Sequence, residues 1–388
     1  MSKKNTKMAR VSNRFETKQT SRRKFLTGAA ATVGGAAAAA VGFPMIAKAQ
    51  TPINMRFQST WPTKDIFHEY ALDFAKKVNE MTGGRLKIEV LPAGAVVKAF
   101  DMIDAVNKGI LDGGHGVSAY WYGRNSAYSL FGTSPLAGMD SNQMLGWVEY
   151  GGGKALYDEL QHSIMNYDVQ GFLYGPMTTQ PLGWFKKIIK SSADFKGMKY
   201  RTVGLAVDMF KEMGASVVAL PGGEIVAGLD RGLIDAAEFN NASSDRALGF
   251  PDVSKVCMLQ SYHQPAEYFE ILFNKKKYDS LPDDLKSIIR HAVHAASADL
   301  SWKAMDRYSQ DYIEMQTKDK VKFYKTPKEV LEAQIKAWDR VITAKTKENP
   351  FFAKVLDSQT KWLQRIGKWN QDTTVGNDLG LAHWFKKA

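Results

Sequence analysis

The chain has 388 residues, of which 44% are hydrophobic and 24% are charged, the balance of a globular protein long enough for two domains. Its formal net charge of +12 is unevenly spread: residues 1–49 hold ten Lys and Arg against one acid, and the remainder carries only +3. The basic charge therefore gives no argument for nucleic acid as a partner. The single cysteine, Cys257, excludes an intrachain disulfide, a CxxC redox pair, c-type haem attachment and zinc or iron–sulfur sites built from cysteines.

The first 49 residues have the features of an export signal. Arginines at positions 22 and 23 precede a weakly apolar stretch of mostly Ala, Gly and Val at residues 28–46, and Ala-Lys-Ala at residues 47–49 is a small-x-small cleavage pattern. We predict a twin-arginine signal peptide over residues 1–49, cleavage near Gln50 and a periplasmic mature protein. A membrane anchor is the alternative, but Ala and Gly supply too little transfer energy for it, and the stretch falls short of roughly 20 strongly apolar residues.

The next segments alternate between strand and helix. Apolar residues alternate with polar ones over residues 53–57 and again over residues 86–90, as in half-buried strands. Between them, apolar residues from position 67 to position 81 recur at the spacing of one helix face, and two glycines at 83–84 end the helix. A strand–helix–strand order predicts an α/β lobe.

A weak internal repeat indicates two lobes of similar construction. Residues 105–114 read Ala-Val-Asn-Lys-Gly-Ile-Leu-Asp-Gly-Gly, and residues 228–237 read Gly-Leu-Asp-Arg-Gly-Leu-Ile-Asp-Ala-Ala. Both predict a helix that ends on a basic residue and a left-handed glycine, followed by two aliphatic residues and an Asp that leads into a short strand. The other interpretation is that this is only a common helix-to-strand turn.

The middle of the chain predicts two crossings between the lobes. Residues 171–174 resemble a strand before a Gly-Pro crossing point, and the chain returns in a strand at residues 269–274. We therefore predict an α/β, two-lobed fold of the periplasmic solute-binding type, with hinge-crossing strands and C-terminal helices. The predicted parts are lobe 1 (50–174), lobe 2 (175–262), a segment returning to lobe 1 (263–328) and a C-terminal helical region (329–388). Trp-rich apolar faces in this last region make it a possible homodimer contact.

A search for catalytic machinery finds little. The sequence has no G-x-S-x-G, H-E-x-x-H or P-loop motif, and residues 151–154 lack the first glycine of a phosphate loop. His291 and His294 have the spacing for a metal on a helix but no third ligand nearby. Glu238 is the only obvious candidate for a general base, so an enzyme acting on a carboxylic acid stays a less favoured alternative.

Four stretches in this order and spacing resemble the solute-binding receptors of TRAP (tripartite ATP-independent periplasmic) transporters, the DctP type. They are residues 180–185 (Gln-Pro-Leu-Gly-Trp-Phe), 195–201 (Phe-Lys-Gly-Met-Lys-Tyr-Arg), 228–239 and 272–275 (Leu-Phe-Asn-Lys). The most similar branch binds 2-oxo or 2-hydroxy carboxylates, such as pyruvate or lactate, together with a metal cation. The resemblance implies a receptor without enzymatic activity whose partners are the integral membrane subunits of a transporter. Receptors for aromatic carboxylates are the alternative within the family.

The resemblance also implies a set of binding residues. Arg201, at the end of the K-x-R motif, would form two parallel hydrogen bonds with the substrate carboxylate. Gln180, Glu238 and the carbonyl of Phe239 would hold Na⁺ or Ca²⁺, because all three are hard oxygen ligands. The chain departs from the family pattern at Phe239, where the family often has Trp, and at Gln264, near which the family often has an acid. Gln264 is a further candidate ligand. The loss of that acid leaves the charge balance of the cation open, and Glu267 is a candidate to restore it.

Aromatic residues after strand ends are expected to form the pocket walls, since loops at strand ends usually carry the ligand in α/β lobes. Trp61 follows the first strand, and Tyr120 and Trp121 follow the first copy of the repeat. Ordinary core packing is the alternative for at least one aromatic of the run at 120–122. Asn240 and His263, on neighbouring loops, are weaker candidates for substrate contacts, and Gln180 is a candidate for the substrate as well as the cation.

Overall fold

A computed structural model describes residues 51–133 and 138–385 of the chain. The predicted signal peptide, residues 1–49, lies outside the described residues. The eleven described strands are β1 (Ile53–Ser59), β2 (Leu86–Leu91), β3 (Gly113–Gly116), β4 (Val169–Met177), β5 (Gly183–Phe185), β6 (Lys199–Arg201), β7 (Ser216–Val218), β8 (Ala236–Ala237), β9 (Val256–Leu259), β10 (Glu267–Asn274) and β11 (Lys322–Lys325). The helices of the first half are α1 (Ile66–Met81), α2 (Met102–Asn107), α3 (Tyr128–Gly132), α4 (Ser141–Tyr150), α5 (Gly153–Glu159) and α6 (Ala206–Glu212). Those of the second half are α7 (Ile225–Asp230), α8 (Ala242–Leu248), α9 (Phe250–Val253), α10 (Lys275–Asp279), α11 (Asp283–Thr317), α12 (Lys328–Glu348), α13 (Pro350–Thr373) and α14 (Asp378–Trp384).

Two mixed sheets form the centres of two lobes. Lobe 1 contains a five-stranded sheet in the order β2-β1-β3-β10-β4, and lobe 2 contains a six-stranded sheet in the order β11-β9-β5-β8-β6-β7. In lobe 1, β1 pairs in parallel with β2 and β3, whereas β10 runs antiparallel to β3 and β4. All eight residues of β10 are buried, because helices and loops cover both faces of this central strand. The α/β, two-lobed fold predicted from the sequence is confirmed.

The internal repeat predicts the same helix-to-strand turn in both lobes, and the structure confirms it. Gly109 after α2 and Gly232 after α7 have φ of 70° and 71°, the left-handed conformation that only glycine adopts readily. In each copy the next residue donates its N–H to a carbonyl five residues back, Ile110 to Ala105 (2.9 Å) and Leu233 to Gly228 (2.9 Å). The strand that follows then joins its sheet in parallel, β3 on β1 and β8 on β6.

Two crossing segments connect the sheets and touch each other. Residues 178–182 lead from β4 to β5, and residues 260–266 lead back from β9 to β10. The backbone N–H of Gln180 donates to the carbonyl of Gln264 (3.2 Å), and the hydroxyl of Thr179 donates to the carbonyl of Pro265 (2.8 Å). The strand before the first crossing extends to Met177, beyond the boundary at residue 174 predicted from sequence. These bonds join the two crossings to each other.

The 35-residue helix α11 spans both lobes. It packs on α1 and β4 of lobe 1 and on α8 of lobe 2. Lys303 of α11 bonds to Glu69 of α1 (3.0 Å), and near the other end Asp311 pairs with Arg246 of α8 (2.9 Å). The chain then adds β11 to the sheet of lobe 2, so the last part of the segment predicted to return to lobe 1 (263–328) lies in lobe 2 instead.

The C-terminal helices begin against the lobes and end in solvent. Trp338 of α12 donates its indole N–H to the carbonyl of Tyr262 (2.7 Å), and Phe352 and Val355 of α13 are buried. Every residue from 371 to 385 is exposed, and this segment includes α14. Among the described residues, no helix combines the length and apolarity needed to span a membrane.

Candidate functional site

A small cavity lies in the cleft where the ends of both sheets meet. Its volume is about 10 Å³. The lining residues come from both lobes and both crossings: Trp61, Phe67, Tyr120, Gln180, Arg201, Val203, Phe239, Asn240, Gln264 and Glu267. A wider depression beside Tyr308 and Tyr312 of α11 has no Lys or Arg among its described lining residues, so it does not suit an anion. The cleft cavity contains the charged groups and is the candidate site.

Arg201 is the basic residue of the described cavity lining. It ends β6, its side chain is 1% exposed, and its Nε and Nη2 both donate to the carbonyl of Leu220 (2.8 and 2.5 Å). Its Nη1 donates to the carbonyl and to the Oε1 of Glu238 (3.1 and 2.8 Å). Its guanidinium carbon also lies 5.8 Å from the ring centroid of Phe239. Four of the five N–H groups are therefore engaged, and one N–H on Nη2 remains for a ligand.

Glu238 lies beside Arg201 rather than in the cavity lining. Its side chain is 1% exposed, and burial raises the pKa of this carboxyl to about 7 although the adjacent Arg201 opposes the shift. Its second oxygen, Oε2, is buried and finds no hydrogen-bond partner among residues 51–133 and 138–385. A buried carboxylate oxygen without a donor is costly, so this atom is available to a cation or a proton.

Glu267 is hydrogen-bonded to Gln180 in the cavity wall. It begins β10, and its Oε2 accepts hydrogen bonds from Nε2 of Gln180 (2.6 Å) and from Nδ2 of Asn240 (2.7 Å). Burial raises the pKa of Glu267 to about 8, and the nearby charge of Glu238 adds to the shift. The amide of Gln180 is thereby oriented with its Oε1 away from Glu267. In the described part of the chain that oxygen has no hydrogen-bond donor, and neither amide atom of Gln264 has a partner.

Aromatic residues form the opposite wall. The indole N–H of Trp61 donates to Nδ1 of His115 (2.8 Å), and Nε2 of His115 bonds to the hydroxyl of Tyr174 (2.5 Å). Burial lowers the pKa of His115 to about 3, so the ring is neutral and fixes the orientation of the indole. The ring of Phe67 packs edge-on against Trp61 at a centroid distance of 4.9 Å. Tyr120 accepts a hydrogen bond from the backbone N–H of Gly222 (3.3 Å), so its own hydroxyl proton is available for a ligand.

Besides Glu238, two residues predicted for the site lie outside the cavity lining. Trp121 is fully buried in lobe 1, where its indole N–H donates to Glu270 (2.5 Å), because residues 118–121 form a 3₁₀ turn that directs Tyr120 and Trp121 to different sides. The prediction of a substrate contact for Trp121 is corrected to core packing. His263 bonds through Nδ1 to Ser261 (2.6 Å) and is likewise displaced from the lining, and burial lowers its pKa to about 3.

Three lining residues were missing from the predicted set: Phe67, Val203 and Glu267. The helix spacing places Phe67 on the core face of α1. The one sign that it reaches the cleft is its place in the first turn, two residues after the N-cap Asp65. Val203 follows Arg201 by two residues and therefore projects to the same side as that arginine. The sequence suggests Glu267 only as a source of charge. Its contact with Gln180 joins residues 87 positions apart, so no local pattern predicts it.

The comparisons with known proteins decide the family. A family model described as bacterial extracellular solute-binding protein, family 7 (DctP), matches residues 57–349. The chain belongs to this family. A monocarboxylate 2-oxoacid-binding periplasmic protein of Nostoc sp. is 30% identical over 319 residues, 82% of this chain and 86% of that protein. The DctP family consists of periplasmic receptors that bind solutes for transporters, and the predicted resemblance and absence of an enzymatic role are confirmed.

Solved structures of TRAP periplasmic solute-binding proteins agree with this assignment. The protein of Colwellia psychrerythraea with bound calcium and pyruvate has a TM-score of 0.78 and 30% identity, and the match covers 83% of this chain and 98% of that one. The protein of Pseudoalteromonas atlantica with bound sodium and pyruvate has the same TM-score and identity over 83% of this chain and 97% of that one.

The lobes of this DctP protein lie in a closed arrangement. A Rhodobacter sphaeroides TRAP solute-binding protein in an apo, open form is 27% identical and covers 81% of this chain and 98% of its own, but its TM-score is only 0.58. Similar identity with a lower score indicates a different lobe arrangement, since the ligand-bound structures match at 0.78. Hydrogen bonds cross the cleft here, from the N–H of Leu205 to Ser129 (3.0 Å) and from the hydroxyl of Ser244 to Asp65 (2.6 Å).

Proposed function

We propose that this DctP protein is the receptor of a TRAP transporter for a small 2-oxo monocarboxylate, which it binds together with a Na⁺ or Ca²⁺ ion. The observation that carries the proposal is a pair of buried oxygens, Oε1 of Gln180 and Oε2 of Glu238, beside Arg201. Neither has a hydrogen-bond partner in the described part of the chain. Two orphaned oxygens next to a buried arginine fit an anion bound with a cation.

The donor set fits a hard cation. Gln180 offers an amide oxygen, Glu238 a carboxylate oxygen and Phe239 its backbone carbonyl, and all three are ligand types that Na⁺ and Ca²⁺ accept. The described residues contain no cluster of three or more His, Cys, Asp or Glu side chains suited to a metal, which agrees with a site built from mixed oxygen ligands. The cation would supply positive charge for the ligand carboxylate and for Glu238.

Arg201 can form two hydrogen bonds with the ligand carboxylate only if it gives up one of its present partners. Its Nη1 is bonded to Oε1 of Glu238, and one N–H on Nη2 is open. We infer that the ligand carboxylate takes the place of Glu238 at Nη1 and also bonds to Nη2, while Glu238 turns to the cation. This exchange keeps every buried charge paired, which matters because an unpaired buried charge costs several kcal/mol.

The relatives favour a short acid, and the cavity itself has a volume of only about 10 Å³, room for about one water molecule. The Nostoc relative described as binding 2-oxoacids and the two pyruvate-bound structures support the same class. A 2-hydroxy acid such as lactate is the second candidate, because it differs from pyruvate only at the 2-oxygen.

Location and partners follow from the same proposal. The receptor would reach the periplasm by the twin-arginine route and would present its closed lobes to the integral membrane subunits of the transporter. Closure of the lobes would then couple ligand binding to recognition of the receptor by the membrane subunits, since both depend on one conformational change.

The C-terminal segment supports a homodimer. In the part of it that the structure describes, α14 and the end of α13 expose Trp369, Leu379 and Trp384 at 66%, 83% and 77%. Large apolar side chains grouped at one end of a molecule are typical of an interaction surface. We propose that a second copy of this chain covers them.

The test is a thermal-shift screen of residues 50–388, unfolded and refolded to remove bound ligand. Pyruvate, lactate and benzoate are each added with Na⁺, Ca²⁺ or a chelator. A ligand at about 100 times its Kd adds roughly 2.7 kcal/mol, so pyruvate with a cation should raise Tm by a few degrees. The variant Glu238→Gln should lose the cation-dependent part of the shift, whereas Glu224→Gln, an exposed control, should keep it.

Each outcome decides a part of the proposal. Stabilisation by benzoate alone would show that the ligand is an aromatic carboxylate and not a 2-oxo acid. Equal Tm shifts with cation and with chelator would show that no cation takes part in binding. If none of the three acids changes Tm, the chain is not a receptor for this class of ligand.

A further inference from the structure

A second, wider cavity, the rear cavity, lies on the other side of the first crossing from the candidate site. Thr179 and Pro181 line the rear cavity, whereas Gln180 between them lines the cleft cavity, so the crossing forms a wall between the two. The rear cavity has a volume of about 540 Å³, within the roughly 300–1,000 Å³ of small-molecule sites. It is therefore large enough for a ligand of its own.

The rear cavity lies between lobe 2 and α11, and ion pairs hold these two walls together. Arg246 of α8 pairs with Asp311 of α11 (2.9 Å) and with Asp319 just after that helix (2.7 Å). The hydroxyl of Ser243, also on α8, donates to Asp311 (2.5 Å). These contacts fix α11 against lobe 2 on one side of the cavity and leave the space beside them open.

Four aromatic side chains line the rear cavity: Trp184, Tyr308, Tyr312 and Phe323. The ring centroids of Tyr312 and Phe323 lie 4.5 Å apart, and those of Trp184 and Phe323 lie 6.5 Å apart, so these three rings form one continuous wall. The face of an aromatic ring carries partial negative charge and attracts cations. Several such rings around one space are typical of sites for quaternary ammonium groups.

Asp245 is the charged residue of the described lining, which contains no Lys, Arg or His. Its Oδ2 accepts a hydrogen bond from the indole N–H of Trp184 (2.7 Å), and its Oδ1 accepts one from the backbone N–H of Asn240 (3.1 Å). Arg246, the next residue in sequence, does not pair with Asp245, because it is bonded to three acids in and just after α11. The lining therefore offers a negative charge and no positive one.

The charge of Asp245 has no basic partner in the described part of the chain. Burial raises the pKa of this carboxyl to about 7, and the charges of Glu238 and Asp65 add to the shift. The carboxyl is therefore ionised at pH 8. An unpaired buried charge is costly, and a cation bound in the rear cavity would compensate it.

We propose that the rear cavity is a second ligand site of this protein, for a small organic cation of the quaternary ammonium class. The aromatic wall binds the cation through its ring faces, and Asp245 supplies the opposite charge. A quaternary ammonium group needs no hydrogen-bond acceptor, so the two bonds that Asp245 already accepts can stay in place. The proposal does not depend on the function proposed for the cleft.

Isothermal titration calorimetry at pH 8 tests the proposal on residues 50–388, with choline as the probe. The control ligand is 3,3-dimethyl-1-butanol, which has the shape of choline but carries carbon in place of the charged nitrogen. We expect choline to bind and the neutral alcohol to bind at least about 10-fold more weakly, because ring faces and a carboxylate attract only the charged ligand. Equal affinities, or no binding of choline at millimolar concentration, would overturn the proposal.

Two variants show whether choline binds in the rear cavity. Asp245→Asn keeps the size of the side chain and removes the charge, so it should lower choline affinity by about 10- to 100-fold. Tyr312→Ala removes one ring and should lower it by about 3- to 10-fold. The matched controls are Asp230→Asn and Tyr150→Ala, which change an exposed acid and an exposed tyrosine outside the lining and should leave the affinity unchanged.

The variants also keep the test decisive if one of them fails to fold. Tyr312 is only half buried, so Tyr312→Ala can be measured even if the buried substitution Asp245→Asn unfolds the protein. Wild-type affinity for choline in folded Asp245→Asn, or in Tyr312→Ala, would place the cation elsewhere and overturn the proposal.

Discussion

Removing Arg201 should destabilise this receptor even without ligand. The side chain is 1% exposed and donates to Leu220 and Glu238 through four hydrogen bonds, so Arg201→Ala leaves a carbonyl and a carboxylate buried without donors. Breaking a buried ion pair by deleting one partner costs about 3–5 kcal/mol, mainly because the other charge stays buried. We therefore expect the free energy of unfolding to fall by about that amount at pH 8.

The pH of the measurement decides how much of this cost is visible. The folded-state pKa of Glu238, about 7, lies above its unfolded value of 4.5. The carboxyl is therefore ionised in the folded wild-type protein at pH 8, whereas below pH 4.5 it is protonated in both states. The part of the cost that comes from the unpaired charge should accordingly be largest at pH 8 and disappear as the pH falls through about 7, where Glu238 takes up a proton in the folded protein.

Urea unfolding in chelator measures the effect, with the double variant Arg201→Ala/Glu238→Gln as the control. Removing the charge of Glu238 should recover most of the loss, because an amide without a partner costs less to bury than a carboxylate. A fall of less than about 1 kcal/mol, the size of an ordinary substitution, or no recovery in the double variant would refute this account of the pair.

Two further predictions concern closure. Asp65 accepts a hydrogen bond from Ser244 across the cleft, and burial raises the pKa of its carboxyl from 3.8 to about 6. The protonated carboxyl therefore stabilises the folded protein fully below pH 4, and this stabilisation is lost as the pH rises through 6. Asp65→Asn should therefore flatten the pH dependence of urea unfolding and add up to about 3 kcal/mol at pH 7.5, and parallel curves for variant and wild type would contradict this. Gly204 has φ of 64°, and a Cβ there would lie 2.9 Å from Oγ of Ser129 in the other lobe. Gly204→Ala should weaken pyruvate binding more than Gly232→Ala, whose φ is 71° with nothing near its Cβ; equal affinities would show that this contact does not limit closure.

Much of the backbone was predictable because its determinants are local. The alternating pattern at residues 53–57 and the helix spacing up to Met81 gave β1 and α1, and the paired glycines Gly109 and Gly232 marked the same turn in both lobes. The family was predictable from four short stretches read in order, and the match over residues 57–349 confirms it. Each of these features depends on residues a few positions apart.

The side-chain geometry of the site was less predictable. Sequence placed Tyr120 and Trp121 in one aromatic run, but a 3₁₀ turn sends the first to the cavity and the second to Glu270 in the core. The sequence also contains Gln264 and Glu267 close together, but it does not show which of the two contacts Gln180. A single turn type, which rests on weak local preferences, decides the first case, and strand register decides the second.

The amino-acid sequence by itself determined the order of strands and helices, the two-lobe construction and the residue types available for an anion and a cation. The tertiary structure alone decided which of those atoms meet: Trp61, Arg201 and Glu267 belong to different strands or loops, and the last two lie on opposite sides of a crossing between lobes. The physical reason is the distance along the chain over which each effect acts. Propensity, capping and alternation act over a few residues, whereas the burial that raises the pKa of Glu238 and leaves its Oε2 without a partner in the described part of the chain exists only in the folded protein.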